Sequence, residues 1–187
     1  MGKRAKKEVR QPTLTSSIPE ENFDQILEFL KDKYEIRSDE IVLVSNKASL
    51  ERGFDRFFIP IAIFRYNLSP LSCVVKYLRE NLELRFTKIA AILKRDNSTI
   101  WDAYQKAKKE MPDHYLEENS KHYIPITMFN NRKLSILESL VYYLKTKFDV
   151  KFTEIAQLTK RSPKTIWTSH DRAKKKLGNK EVTNESN

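Results

Sequence analysis

The sequence predicts a mainly α-helical chain made of two tandem three-helix modules, preceded by a helical element in which a short strand is the alternative. The first observation behind this is an internal repeat. Set against itself at an offset of 65 to 66 residues, the chain matches Ile59–Met111 with Ile124–Leu177, giving 22 identities over 53 aligned pairs with one single-residue gap. The second is that each copy carries apolar residues at helical spacing, and the third is the helix-start signal at Ser162 and Pro163, with Asp96 and Asn97 in the same places of the first copy. Two copies of this length are a duplicated module, because solenoids need three or more stacked repeats.

Residues 1–17 read as a disordered basic tail and 18–56 as an acidic element. Within the latter, Phe23, Ile26, Leu27 and Leu30 place an apolar stripe on a helix over 21–34. IVLVS at 41–45 reads either as a short strand or as a continued helix. Module one spans 57–111, a linker 112–122, module two 123–177 and a polar tail 178–187. Each module opens on an extended lead-in, IPIAIF or IPITMF, whose Phe64 and Phe129 are expected in the core. Leu71, Val74, Val75 and Leu78 recur at i, i+3, i+4 and i+7, as do Leu137, Leu140, Val141 and Leu144, which makes the first helix of each copy. Tyr77 and Tyr143 fall at its rim. Phe86, Ile89, Ala90 and Leu93, or Phe152, Ile155 and Ala156, give a second helix of about two turns. The third helix starts at an N-cap, Asp96 or Ser162, with Pro163 at the first helical position of copy two. It turns Ile100, Ala103 and Ala107, or Ile166, Ser169 and Ala173, inward, and Pro112 and Gly178 mark the ends.

Composition narrows the function. With 187 residues, 35 Lys and Arg against 25 Asp and Glu, and a net charge of +10, the chain is globular and suited to an anionic partner. The charge is uneven: +4 over 1–17, −4 over 18–56, +2 over 57–118 and +8 over 119–187. The lone Cys73 makes no internal disulfide and is expected to be a free buried thiol in a reducing compartment. No apolar run approaches the length of a spanning helix, and the basic N-terminus has no apolar stretch of a secretory signal behind it. Glycine occurs only at 2, 53 and 178, which excludes glycine-loop phosphate cradles. His114, His122 and His170 are scattered without zinc-like spacing, and the acids Glu20, Glu21, Asp24, Glu28, Asp32, Glu35, Asp39 and Glu40 look like a solvated face or a docking face for a basic partner. No enzyme, cofactor, metal or small-molecule substrate is expected.

The strings FTKIAAILKRDNSTIWDAYQKAKKEM and FTEIAQLTKRSPKTIWTSHDRAKKKL resemble region four of bacterial sigma factors and regulators built on the same helix-turn-helix. The shared features are the Phe-Thr-x-Ile-Ala opening, the N-cap at Asp96 and Ser162, the Thr-Ile pairs at 99–100 and 165–166, and the basic ending around 106–108 and 172–174. The resemblance covers about half the chain and leaves residues 1–56 untouched. The family usually has glycine in the turn and an apolar residue next, where this chain has Lys94, Arg95, Lys160 and Arg161. Lysine is expected to close a slightly different turn without positive φ. No segment resembles the promoter-melting or polymerase-binding parts of a sigma factor.

The resemblance implies that the third helix enters the major groove with its N-terminal residues toward base edges. Asn97, Ser98, Trp101, Asp102 and Gln105 would then face DNA in copy one, and Pro163, Lys164, Trp167, Thr168 and Asp171 in copy two, with Thr165 beside them. Lys94, Arg95, Lys106, Lys160, Arg161, Arg172, Lys174 and Lys175 would neutralise phosphates. Plain solvated helix charge is the bland alternative. For Trp101 and Trp167 the two readings are a DNA contact or packing beneath the first helix; packing is favoured because each adjoins an inward isoleucine. The expected function is sequence-specific duplex DNA binding by a cytoplasmic, nucleoid-associated transcriptional regulator, with half-sites about one helical turn (10 to 10.5 bp) apart. The rivals are an adaptor that contacts RNA polymerase or another transcription protein and binds DNA through module two only, and an RNA-binding protein.

Overall fold

The computed structural model describes residues 23–35, 37–51, 57–115 and 120–178. The tails expected at 1–17 and beyond 178 lie outside these. Eight α-helices and one two-stranded ribbon make up the described chain, so the fold is mainly α. The N-terminal element is a helix pair, α1 (Phe23–Tyr34) and α2 (Ser38–Glu51). IVLVS lies inside α2, so the helical alternative holds for 41–45. The first repeat runs β1 (Phe58–Pro60), a 3-10 turn (Ile61–Arg65), α3 (Pro70–Glu80), α4 (Phe86–Leu93) and α5 (Asn97–Glu110). The second repeats that order as β2 (Tyr123–Pro125), a 3-10 turn (Ile126–Asn130), α6 (Ile136–Phe148), α7 (Phe152–Leu158) and α8 (Pro163–Gly178).

Local chemistry explains these boundaries. The Ser69 side chain caps α3 by accepting from the Ser72 amide, with Pro70 in the first turn. Ser135 and Glu138 form a reciprocal capping box on α6. The lead-ins expected to be extended are so only at Ile59–Pro60 and Ile124–Pro125, since IAIF and ITMF wind into the 3-10 turns, and the two short strands pair with each other. β1 and β2 run antiparallel with Ile59 opposite Ile124, flanked by Phe58 opposite Pro125 and Pro60 opposite Tyr123. Alternation along the ribbon sends Ile59 and Ile124 to one face and Phe58 and Tyr123 to the other. On that second face Phe58 and Tyr123 meet Leu27 and Val42 of the N-terminal pair. Asn46 fixes the contact: its Nδ2 donates to the Phe58 carbonyl and its Oδ1 accepts from the Phe58 amide, both at 2.9 Å.

On the first face the two repeats share one hydrophobic core, which joins Ile59, Phe64, Leu78 and Ile100 to Ile124, Phe129, Leu144 and Ile166. Phe64 and Phe129 are buried as expected, and their rings meet at 6.3 Å between centroids. Tyr77 is buried, and Tyr143 packs partly buried at the edge of the core. The described parts of the linker are anchored as well. The Tyr115 hydroxyl donates to the Cys73 carbonyl at 3.3 Å, and Ser120 Oγ accepts from the Ala62 amide at 3.2 Å while donating to the His122 carbonyl at 2.9 Å. Cys73 is a buried free thiol, pushed up to about 11 by burial. Among the described residues no helix is long and apolar enough to cross a membrane.

Candidate nucleic-acid interface

The second and third helices are joined by three residues in the first repeat, 94–96, and by four in the second, 159–162. The turn is closed by the backbone. Lys94 N–H donates to the Ala91 carbonyl and Arg95 N–H to that of Ala90; Lys160 and Arg161 bond likewise to Gln157 and Ala156. This is the double bond pattern of a helix end with a left-handed residue after it. Lys94 has φ 50° and Lys160 φ 48°, so lysine takes the conformation glycine usually supplies. The expectation of a turn without positive φ is therefore corrected: the hydrogen bonds require it, whatever the side chain. The strain of a non-glycine residue there is about 1 to 2 kcal/mol.

The N-terminus of the third helix follows. The Ser162 hydroxyl accepts from the Thr165 amide at 3.1 Å and lies 2.8 Å from Thr165 Oγ1, so that hydroxyl is spent on capping. Asp96 holds extended cap geometry without a side-chain bond to the helix. Ile100, Ala103 and Ala107 are buried along α5, and Ile166, Ser169 and Ala173 along α8. That register turns Asn97, Ser98, Trp101, Asp102, Gln105 and Lys106 outward and leaves them exposed. On α8 Pro163, Lys164, Trp167, Arg172, Lys174 and Lys175 are exposed, while Thr168 and Asp171 are half-buried. Thr168 Oγ1 donates to the Lys164 carbonyl at 2.8 Å, and Asp171 pairs with Lys175 at 2.8 Å, so these two sequence candidates partly neutralise each other.

The favoured packing of the tryptophans is overturned. Trp101 is 49% and Trp167 56% exposed, because each lies next to its inward isoleucine in sequence but about 100° around the helix from it. Trp101 keeps one edge-to-face contact, its ring centroid 5.1 Å from that of Phe86. At the equivalent of Phe86, Phe152 meets His170 at 5.1 Å. Burial, with Lys174 and Lys145 adding to it, lowers the His170 pKa below the ordinary histidine value.

The turn arginines are placed differently from the other cations. Lys94 and Lys160 are exposed, but Arg95 and Arg161 are half-buried against the opposite repeat. Arg161 Nη2 donates to the Leu68 carbonyl at 3.0 Å, just before the N-cap of α3. Arg95 lines a cleft of about 520 Å³ between the N-termini of α3 and α6, with Arg132, Lys133 and Lys176. Burial first and then Arg132 hold its guanidinium below the usual arginine range. Lys176 is engaged by Glu138 at 2.7 Å. Arg132 and Lys133 escaped the sequence reading because they sit at the one-residue gap of the repeat, where no motif marks them.

Charge differs between the third helices: α5 carries three cations and two acids, α8 five cations and one acid. Among the described residues no three His, Cys, Asp or Glu side chains gather where a metal could sit. No protein-family model, curated protein or solved structure matches the chain.

Proposed function

We propose that the chain binds double-stranded DNA sequence-specifically through both helix-turn-helix units and acts, without enzymatic activity, as a cytoplasmic, nucleoid-associated transcriptional regulator. One observation carries this reading: the outer N-terminal faces of α5 and α8 are solvent-exposed at equivalent positions of one shared core, each flanked by exposed lysines. Side chains in that place reach base edges when a third helix lies in the major groove, and the flanking lysines reach phosphates. The turn lysines support it further. Glycine at 94 and 160 would relieve left-handed strain, so keeping lysine there makes sense where its charge is used. Exposed Trp101 and Trp167 supply apolar contacts for thymine methyls.

A second reading has its own observation. Asp102 is exposed on α5 where α8 has Thr168, and α5 is nearly neutral, which suits an adaptor whose first unit meets RNA polymerase or another transcription protein. Anisotropy titrations of duplex DNA, single-stranded DNA and RNA over a salt series test the main reading. Duplex preference with a steep salt slope is expected. RNA binding as tight as duplex, with the same slope, would sink it.

A further inference from the structure

We infer that the preferred duplex is an imperfect inverted repeat whose centre lies on a two-fold axis built into this single chain. The inference rests on the duplex-binding reading above and adds the orientation of the half-sites. Its basis is the way the repeats touch. Ile59 and Ile124, which are equivalent positions of the repeat, are partners at the middle of the antiparallel ribbon. Around them the bonds are reciprocal: the Ile61 amide donates to the His122 carbonyl at 3.0 Å, and the Ile126 amide to the Phe57 carbonyl at 2.8 Å. Exchanging the repeats turns one bond into the other. Phe64 and Phe129, again equivalent, meet ring to ring. The 3-10 turn of each repeat packs on the second helix of the other, Ile126–Asn130 on α4 and Ile61–Arg65 on α7. Contacts in which equivalent residues trade places define a half-turn, whereas a translation would join unlike surfaces head to tail.

The half-turn fixes the target. If both units dock on one duplex in the same manner, the operation that carries one docked unit onto the other carries one half-site onto the other. A half-turn that maps a duplex onto itself exchanges its strands, so the halves face one another. A direct repeat requires the units to be related by translation along the groove. They cannot rearrange to supply it, because the ribbon, the Phe64–Phe129 contact and the common core hold them in the half-turn relation.

The palindrome is imperfect because the outer faces differ. Thr99 and Trp101 recur as Thr165 and Trp167, but Asn97, Ser98, Asp102 and Gln105 are replaced by Pro163, Lys164, Thr168 and Asp171. Bases met through the shared residues should match between halves, and those met through the others should not.

Selection of the full chain against a randomised duplex pool gives the motif. Anisotropy then compares three duplexes of equal spacing: the selected one, one with a half reversed into a direct repeat, and one with that half scrambled. Reversal should weaken binding as much as scrambling does, by about tenfold or more. A direct repeat bound as tightly as the selected duplex, or a motif with a single half, overturns the inverted arrangement and leaves duplex binding intact. Enrichment of no duplex at all overturns the duplex reading itself. A variant carrying Pro163→Asn, Lys164→Ser, Thr168→Asp and Asp171→Gln gives an independent arm. Once its melting temperature shows it folded, its selected motif should approach a perfect palindrome; an unchanged motif counts against the inference.

Discussion

Helix α5 buries Ile100, Ala103 and Ala107 where α8 buries Ile166, Ser169 and Ala173, yet the outward faces share only Thr99 with Thr165 and Trp101 with Trp167 among their first turns. Even the one polar change on the buried side is absorbed, since the Ser169 hydroxyl donates to the Thr165 carbonyl at 2.8 Å. The inner faces answer to one close-packed core and cannot drift apart. The outer faces are largely exposed, and α8 carries five cations to three on α5, which has Asp102 in the place of Thr168. The modules therefore differ most on their exposed faces, and on the proposed duplex-binding reading that difference falls where they would meet DNA.

That comparison depends on the core being common, so the largest effect should come from its centre. Phe64→Ala and Phe129→Ala should each cost about 3 to 5 kcal/mol. Each should lower the stability of both repeats in one denaturation transition, seen alike by fluorescence and circular dichroism. A second transition belonging to an intact module would mean that the repeats are separate bodies.

Next comes the asymmetry of binding. Lys160→Glu, Lys164→Glu and Arg172→Glu together should weaken duplex binding about a hundredfold, because each reversal replaces an attraction to phosphate by a repulsion. The equivalent triple, Lys94→Glu, Ser98→Glu and Lys106→Glu, should cost about tenfold, since α5 starts with less charge. Equal losses would erase the proposed division between the modules. Arg161 is no part of this test, because its guanidinium is bonded to the Leu68 carbonyl and its removal would mix loss of a phosphate contact with loosening of the repeats.

The turn lysines separate folding from binding at smaller cost. Lys94→Gly and Lys160→Gly should each raise stability by about 1 kcal/mol by relieving the left-handed residue. Each should also shallow the slope of log affinity against log salt by about one. Higher stability with unchanged salt dependence would leave lysine at these positions without a role.

Much of this was legible in the sequence, and the exceptions have physical causes. The repeat, the helices and their inward faces followed from apolar spacing, because spacing reports directly on which side of a helix is dry. The two-fold axis did not. IPIAIF and IPITMF announce extended segments, but nothing in either string says that its partner is the other, and the pairing emerges only when both copies are buried together. Adjacency in sequence misled for Trp101 and Trp167, where the neighbour of a buried isoleucine points elsewhere. At the lysine turns side-chain preference points away from positive φ, but the backbone bonds that close the helix impose it. The half-burial of Arg95 and Arg161 against the opposite repeat comes from tertiary contacts that leave no mark in the sequence.

The smallest expected effect concerns a single exchanged side chain, Tyr104 of α5 against His170 of α8. His170 stacks on Tyr142, with ring centroids 5.9 Å apart, and also faces Phe152, Lys174, Lys145 and Asp171. Burial, followed by the two lysines, lowers its pKa in the folded chain, so between that value and the ordinary 6.5 the unfolded chain binds more protons than the folded one. Stability supplied by the neutral ring is therefore whole above pH 6.5 and falls away as the pH drops through the depressed folded value. His122, lowered by burial and by Lys121, adds a term of the same sign from the ribbon's lead-in. His170→Tyr installs the residue that module one already uses and should flatten part of the decline between pH 7.5 and about 5. What persists should vanish on adding His122→Phe. Urea midpoints across that range measure both steps, and a decline unaltered in the double variant would place the pH sensitivity outside His122 and His170.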